Sequence, residues 1–160
     1  MSQLTPSQTI GPFFAEGLRW AVDATARAAG ANDVTVDGRV LDAIGAPVAD
    51  ALLEIRQPSA SAGTLAGFQR IATDPEGVFR FHVARDIRHA DVTVFARGLS
   101  KAANTRVHLN ADRVPAAVPA GRAYTLVAQP TADAAKFTWD IRLSGGDETV
   151  FFEFQGVARR

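Results

Sequence analysis

The chain contains no cysteine in its 160 residues, so it can form neither a disulfide framework nor a thiolate zinc site. It also lacks any apolar run near the roughly 18 residues of a membrane span, and its first residues have no basic and apolar regions typical of a secretory signal. We therefore expect a cytoplasmic protein without a membrane partner. Basic and acidic residues balance at 17 each, which leaves no excess positive charge for a nucleic-acid partner.

Tyrosine is nearly absent, with Tyr124 as its single copy. A ferric site with two tyrosinate and two histidine ligands therefore cannot be assembled from one copy of the chain, although a tyrosine phenol can become an anionic ligand beside a trivalent cation. The sequence also has no G-x-S-x-G elbow, no P-loop and no G-x-G-x-x-G motif. These absences argue against a serine hydrolase and against a phosphate-binding loop.

What the sequence does contain is a series of short β-favouring runs separated by turn residues. Phe79, Phe81 and Val83 alternate with Arg80 and His82, as expected for a half-buried strand that follows an Asp-Pro-Glu-Gly turn. The other runs are VTVDGRVL and ALLEIRQ, joined through an IGAP turn, then FQRIAT, HADVTVFARG and TRVHLN, and finally FTWDIRLSG and ETVFFEF, which flank Gly145-Gly146-Asp147 as a possible hairpin.

This spacing predicts an all-β fold, an antiparallel β-sandwich with an extended N-terminal arm and little helix. A hydrophobic content of 47% with 21% charged residues indicates one packed domain over residues 1–160. Residues 1–30 form the arm and a possible short helix, and residues 31–160 form the sandwich. The proline-containing stretch 111–136 is expected to be loop, with one strand over AYTLVAQ.

One local pattern favours a metal site. In His89-Ala90-Asp91 a period-2 strand places both polar side chains on one face, and His108 could complete a two-histidine, one-carboxylate set of the kind that holds non-haem Fe(II). The alternative is that these histidines are solvated or hydrogen-bonded locally, and we favour it because an H-x-D triplet is common by chance.

Three segments taken in order carry a family resemblance: TPSQTIGPFF at residues 5–14, VTVFARG at residues 92–98, and WDIRLSGGDETVFFEF at residues 139–154. The chain resembles the intradiol ring-cleavage dioxygenases, and FARG with the GDETVFF ending is similar to their alpha rather than their beta subunits. Weaker likenesses lie between the three segments, so the resemblance covers residues 5–154.

The resemblance implies a β-sandwich subunit that pairs with a homologous beta subunit in repeated αβ units. Such a complex uses O2 to open the ring of protocatechuate between its hydroxyl-bearing carbons, giving 3-carboxy-cis,cis-muconate. The resemblance also implies that Fe(3+) is held by two tyrosines and two histidines of the partner beta subunit and not by this chain. His89 and Asp91 match the two histidine positions, and with the tyrosines lost they are expected to be a relic.

The same resemblance implies a substrate-binding role for Thr9, Gly11 and Pro12 of the arm and for Arg97 of FARG. The residue types suit that role. Glycine lets a backbone approach a flat ring, proline fixes the direction of the arm, threonine can hydrogen-bond, and arginine can recognise a carboxylate. Without the resemblance, an ordinary flexible terminus and a solvated arginine would be the preferred interpretation.

The chain departs from the family pattern at three places. Arg56 stands where a tryptophan is usual, only five residues separate Val83 from His89, and the segment 57–68 is short. These departures leave the shape of the pocket open. A further alternative is a β-sandwich binding module in which Trp20, Trp139 or Phe151 forms an exposed aromatic platform. We favour the opposite interpretation, in which these rings pack in the core.

Overall fold

The computed structural model describes residues 14–26, 28–58 and 67–153, where nine strands lie in two packed sheets. The strands, in chain order, are β1 (Asp33–Leu41), β2 (Leu52–Arg56), β3 (Phe68–Ala72), β4 (Val78–Ala84), β5 (Ala90–Phe95), β6 (Ala103–Val107), β7 (Gln129–Pro130), β8 (Lys136–Thr138) and β9 (Ile141–Arg142). The arm residues Thr9, Gly11 and Pro12 lie outside the described residues.

In the described residues, helix is confined to short segments, as predicted. The α-helices are α1 (Phe14–Gly17) and α2 (Arg19–Thr25), and two 3-10 helices span Ala111–Arg113 and Ala120–Leu126. Helix α2 buries Ala21 and is held on β3 through the Thr25 hydroxyl, which accepts a hydrogen bond of 2.9 Å from the Arg70 backbone N–H. No helix in the described part of the chain is long and apolar enough to cross a membrane.

The first sheet has the strand order β4-β1-β8-β7, and β9 also pairs with β1. Strands β1 and β4 are antiparallel, with Val36 opposite Phe81, and the alternation predicted for β4 is confirmed because Phe79, Phe81 and Val83 are buried. Strands β8 and β9 run parallel to β1, which is a difference from the purely antiparallel prediction. The turn before β4 is confirmed, since Asp74 accepts from the Val78 N–H at 2.8 Å.

The second sheet has the order β3-β2-β5-β6, and all of its pairs are antiparallel. In β5 the buried residues Val92 and Val94 alternate with polar or partly exposed ones, which confirms the predicted faces of this strand. Its buried face meets the first sheet, so the predicted β-sandwich is confirmed in the described residues.

Three aromatic side chains pack together in the core of the described residues. The rings of Phe79 and Phe81 stack at 5.9 Å, and Trp139 meets Phe79 edge-on at 6.4 Å. The Trp139 indole N–H donates to the Thr125 carbonyl at 2.8 Å, so the buried ring leaves no unpaired donor. This contact attaches the segment before β7 to the core.

Two local predictions are wrong. The hairpin around Gly145-Gly146-Asp147 does not form from two strands: β9 pairs with β1, and within residues 148–153 the chain has no strand. Instead, the Thr149 N–H donates to the Arg142 carbonyl of β9 at 3.0 Å, and the Phe152 N–H donates to the Asn104 backbone carbonyl of β6 at 2.7 Å. This segment therefore crosses from the first sheet to the second. The strand predicted over AYTLVAQ is mainly the second 3-10 helix, whose Thr125 carbonyl bonds Trp139 instead of a neighbouring strand.

Candidate functional site

Arg97 stands at the corner of a tight turn that follows β5. The Leu99 N–H donates to the Ala96 carbonyl at 3.3 Å, and Gly98 has a φ of 89°, so Arg97 and Gly98 occupy the two central positions. A positive φ at the second central position is typical of a type II turn and favours glycine. The FARG sequence therefore presents the arginine side chain outward at the end of the strand.

The guanidinium of Arg97 is paired with a carboxylate. Its Nη2 donates to Asp50 Oδ2 at 3.0 Å, with side-chain exposures of 50% for Arg97 and 36% for Asp50. The pairing of Leu52 with Phe95 in β2 and β5, continued by two residues, places Asp50 opposite Arg97. Asp50 is also the one non-glycine residue with a positive φ, 61°, in the described part of the chain.

Asp50 borders a cleft that also contacts the two α-helices. This arm cleft, of about 790 Å³, is lined by Glu16, Arg19, Asp50 and Asp74 among others. Helix α1 begins at Phe14, directly after the segment that contains Thr9, Gly11 and Pro12. Asp50, the partner of Arg97, therefore shares a cleft with the helices that follow the arm. Thr9, Gly11 and Pro12 themselves are not among the described residues.

The second candidate site is the group of His89, Asp91 and His108, which the structure does bring together. Asp91 lies opposite Arg106 across β5 and β6, and Ala90 lies opposite Val107, so continuing the register places His89 opposite His108. The two imidazole rings are 5.7 Å apart between centroids, and His89 Nε2 is 3.6 Å from Asp91 Oδ1. The face shared by His89 and Asp91 is thus as predicted from the sequence.

The polar contacts of this group are local. The Asp91 carboxylate accepts from Arg106 Nε at 2.7 Å, and His108 Nδ1 lies 3.1 Å from the Arg88 carbonyl, which makes Nδ1 the donor. Burial lowers the pKa of both histidines; for His89 the Asp91 charge opposes that shift, while Arg106 and Arg88 add to it. Both imidazoles are therefore biased towards the neutral form.

A metal ion does not fit this donor set. The Fe(II) hypothesis needs the Asp91 carboxylate as its anionic ligand, but this carboxylate is paired with Arg106. The arginines beside His89 also oppose a cation. In residues 14–26, 28–58 and 67–153 there is no group of three or more histidine, aspartate or glutamate side chains arranged to hold a metal ion. Tyr124 is 54% exposed and its hydroxyl donates to Asp147 at 2.9 Å, so it does not approach the histidines as a ferric ligand.

The aromatic platform of a binding module is not assembled from the predicted rings. Trp139 is 4% exposed and Phe151 packs against the core, as expected, whereas Trp20 on α2 is 70% exposed, so the prediction that it packs in the core is wrong. Arg56 ends β2 opposite Asp91, on the exposed side of the second sheet.

Sequence reasoning missed the charged partners of both sites. Asp50 had no sequence signal of its own, because it meets Arg97 only through the pairing of β2 with β5. Arg88 had none for its contact with His108, which lies 20 residues further along the chain. The only usable signal was the polar, outward position of Arg106 in the alternation of TRVHLN.

No family model matches the chain. The chain is 35% identical to the protocatechuate 3,4-dioxygenase alpha chain of Burkholderia cepacia, in an alignment of 190 residues that covers 93% of this chain and 96% of that protein. The alignment is longer than the 160 residues of this chain, so the relative has segments that are missing here. This difference agrees with shortened loops.

Solved structures share the fold at low sequence identity. The dioxygenase domain of a dioxygenase and carbohydrate-binding fusion protein from Streptomyces sp. SirexAA-E aligns with a TM-score of 0.57 at 17% identity, over 90% of this chain and 100% of that one. The 3-chlorocatechol 1,2-dioxygenase of Rhodococcus opacus 1CP gives a TM-score of 0.52 at 17% identity, over 73% and 62%. Hydroxyquinol 1,2-dioxygenase of Pseudomonas putida DLL-E4 gives 0.51 at 19%, over 86% and 65%.

Proposed function

The chain belongs to the intradiol dioxygenase family, among the protocatechuate 3,4-dioxygenase alpha chains, and from that membership we propose that it is one subunit of a two-chain ring-cleaving enzyme. The complex uses O2 to open protocatechuate between its two hydroxyl-bearing carbons and forms 3-carboxy-cis,cis-muconate. The observation that carries the proposal is 35% identity to an alpha chain over nearly the whole length of both proteins.

We assign the ferric ion to a homologous beta subunit, in a cytoplasmic complex of repeated αβ units. The chemistry of this chain supports the assignment, because it has one tyrosine and that tyrosine is exposed and bonded to Asp147. Of the two positions that match histidine ligands, His89 is bordered by Arg88 and Arg106, and Asp91 is paired with Arg106. The described donor set therefore does not fit Fe(3+), and the redox chemistry belongs to the partner.

The contribution of this chain to catalysis is substrate binding by Thr9, Gly11, Pro12 and Arg97. Protocatechuate carries a carboxylate opposite its reacting hydroxyls, and a guanidinium can hold that group by two parallel hydrogen bonds. Asp50 binds the Arg97 guanidinium at 3.0 Å, and half of the arginine side chain is exposed at the protein surface. Helix α1, which follows the arm in sequence, lines the same cleft as Asp50 through Glu16.

Co-expression with a beta chain that carries two tyrosines and two histidines tests this proposal. The complex is expected to contain iron, to be coloured and to consume O2 with protocatechuate, whereas this chain alone is expected to bind no stoichiometric ferric iron and to cleave no ring. Ring cleavage by the purified single chain would overturn the proposal.

Substitution in the arm tests the role of this chain within the complex. Gly11→Val places a branched side chain where the backbone is expected to approach the substrate, so the KM for protocatechuate should rise while the iron content stays constant. Gly121→Val is the matched control, because Gly121 is exposed and a Cβ there meets nothing within 4 Å. If the two variants have the same KM for protocatechuate, the arm does not contact the substrate.

A further inference from the structure

A second cleft is lined by the His89–His108 pair, and none of its lining residues also lines the arm cleft. This histidine cleft has a volume of about 610 Å³, and its lining includes Arg88, His89, Arg106, His108, Arg113 and Val114. The volume falls within the range of about 300–1,000 Å³ that is typical of small-molecule sites. Three arginines on one cleft of an overall neutral chain are a local concentration of hydrogen-bond donors.

The inner end of the histidine cleft contains an unsatisfied polar atom. His108 is 1% exposed, and its Nδ1 donates to the Arg88 carbonyl, so its Nε2 carries the remaining hydrogen-bonding capacity. Within the described residues Nε2 is buried and has no hydrogen-bond partner. A buried polar atom without a partner is costly, which makes it a point where a ligand can gain binding energy.

The charges at this inner end favour an anion over a metal ion. Besides burial, the charges of Arg106 and Arg88 lower the pKa of the His89 imidazole, and the charge of Asp91 opposes them. Asp91 is already paired with Arg106 at 2.7 Å. The two carboxylates that line the cleft belong to Asp86 and Asp112, and both residues are exposed. A cation placed between the imidazoles would therefore be repelled by Arg88, and Asp91, the carboxylate next to His89, is already paired with Arg106.

Arginine side chains with spare donors are available to hold the anion. Arg88 is exposed. Within residues 14–26, 28–58 and 67–153 its side chain has no hydrogen bond or ion pair, and it lines the cleft. Arg113 donates from Nη1 to the carbonyls of Asp86 and Ile87, at 3.0 and 2.6 Å, which fixes its guanidinium at the wall and leaves its other N–H groups.

We propose that the histidine cleft binds the carboxylate of a small organic acid, held by Arg88 and Arg113 with His108 Nε2 at its inner end. The wall formed by Val114 and Pro115 supplies apolar surface for the organic part, which an inorganic ion would leave uncovered. A hydroxyl of the acid can donate to the neutral imidazole at Nε2. An acid without a hydroxyl, such as benzoate, binds with the imidazole protonated, so that Nε2 donates to the carboxylate. The site is separate from Arg97 and does not depend on the substrate-binding role proposed for that residue.

The three histidines of the chain allow a direct test. The full-length chain is labelled with ¹⁵N in the histidine rings, alone or assembled with an unlabelled beta chain, and is titrated with benzoate while the ring signals are recorded. Saturable shifts of the His89 and His108 signals are expected, with the His82 signals unchanged, because His82 lies on β4 and contacts Thr35 at 3.2 Å. Shifts that do not saturate, or that affect His82 equally, would overturn the proposal.

Two variants separate the cleft from general charge effects. Arg88→Ala is expected to weaken benzoate binding about tenfold, since a hydrogen bond to a charged group is lost while the Arg88 backbone carbonyl still accepts from His108. Arg85→Ala is the control: it removes a nearby positive charge whose guanidinium donates to the Ala134 carbonyl at 2.9 Å, and should change the affinity less than twofold. Equal effects of the two variants contradict the site.

Two further titrations distinguish the occupants. Inorganic phosphate is expected to bind more weakly than benzoate, and binding of phosphate as tight as that of benzoate would overturn the assignment to an organic acid. Zn²⁺ is expected to leave the His89 and His108 signals in place, and stoichiometric Zn²⁺ binding there would identify the cleft as a metal site instead.

Discussion

Arg97 and Asp50 face each other just beyond the paired ends of β5 and β2, joined by a hydrogen bond of 3.0 Å between Nη2 and Oδ2. Both residues lie in turns with left-handed backbone, at Gly98 and at Asp50 itself. Aspartate tolerates that conformation better than most residues because its short side chain can hydrogen-bond locally. The turn geometry therefore fixes an anionic group beside the arginine that we propose as the carboxylate-binding residue.

Arg97→Gln is expected to raise the KM for protocatechuate about tenfold, because a charge-assisted hydrogen bond to the substrate carboxylate is lost. Catechol has the same hydroxyls without the carboxylate, so its KM should change less than twofold. Oxygen uptake by the assembled complex with both substrates measures the difference, and Arg85→Gln serves as the charge-matched control. A parallel loss with both substrates would assign Arg97 to folding or assembly instead of carboxylate recognition.

Asp50→Asn is expected to raise the KM for protocatechuate by a smaller factor, about threefold, with kcat nearly constant. Asparagine accepts the left-handed conformation at position 50 but removes the charge that orients the guanidinium. Asp50→Ala should give a similar KM and in addition lower the free energy of unfolding by about 1–2 kcal/mol, since alanine is disfavoured at positive φ. A lower KM in Asp50→Asn would mean that Asp50 competes with the substrate for Arg97.

The sequence patterns that predicted the fold are those in which neighbouring residues determine the structure. Alternation in β4 and β5 and the Asp74 turn are set within a few residues, and each was confirmed. The parallel pairing of β8 and β9 with β1 depends on contacts about 100 residues apart, for which no local pattern exists. The 3-10 helix at Ala120–Leu126 replaces a predicted strand because its carbonyls are used within the turn and by Trp139.

The candidate sites show the same division. The shared face of His89 and Asp91 follows from period-2 geometry, whereas the position of His108 opposite His89 follows from the register of β5 and β6. Asp50 and Arg97 are 47 residues apart in sequence and meet only because β2 and β5 are neighbours. Strand order is decided by packing of the whole core. The sequence therefore indicated candidate site residues but not which charged residues would pair with them.

Gly38→Ala is expected to lower the free energy of unfolding by about 3 kcal/mol or more, because a Cβ at Gly38 would stand 1.8 Å from the Trp139 carbonyl oxygen and 2.7 Å from the Phe79 ring. Relief of these contacts would separate β1 from the segment between β8 and β9. Urea unfolding followed by far-UV circular dichroism measures the change. In Gly121→Ala, where the added methyl meets nothing within 4 Å, the change should stay within about 0.5 kcal/mol.

His108→Asn is expected to flatten the pH dependence of stability below neutral pH. Burial lowers the pKa of His108 in the folded chain, so the unfolded chain binds a proton at a pH where the folded chain does not. The contribution to stability is therefore complete above the unfolded pKa of about 6.5 and is lost as the pH falls from there towards the lower folded pKa. In this window the unchanged chain should lose up to about 1.4 kcal/mol per pH unit for the one proton.

The variant cannot take up that proton, and its stability should fall less steeply over the same interval. Denaturant unfolding at a series of pH values between 7 and 5 measures the two slopes, and the difference between them removes the contribution of groups common to both chains. Leu109→Ala is the control, because it removes packing from the next residue and no titrating group, so its stability should be lower by a constant amount at every pH. If His108→Asn also shows only a constant offset, the imidazole titrates equally in the folded and unfolded chains, and the electrostatic description of the histidine cleft is wrong.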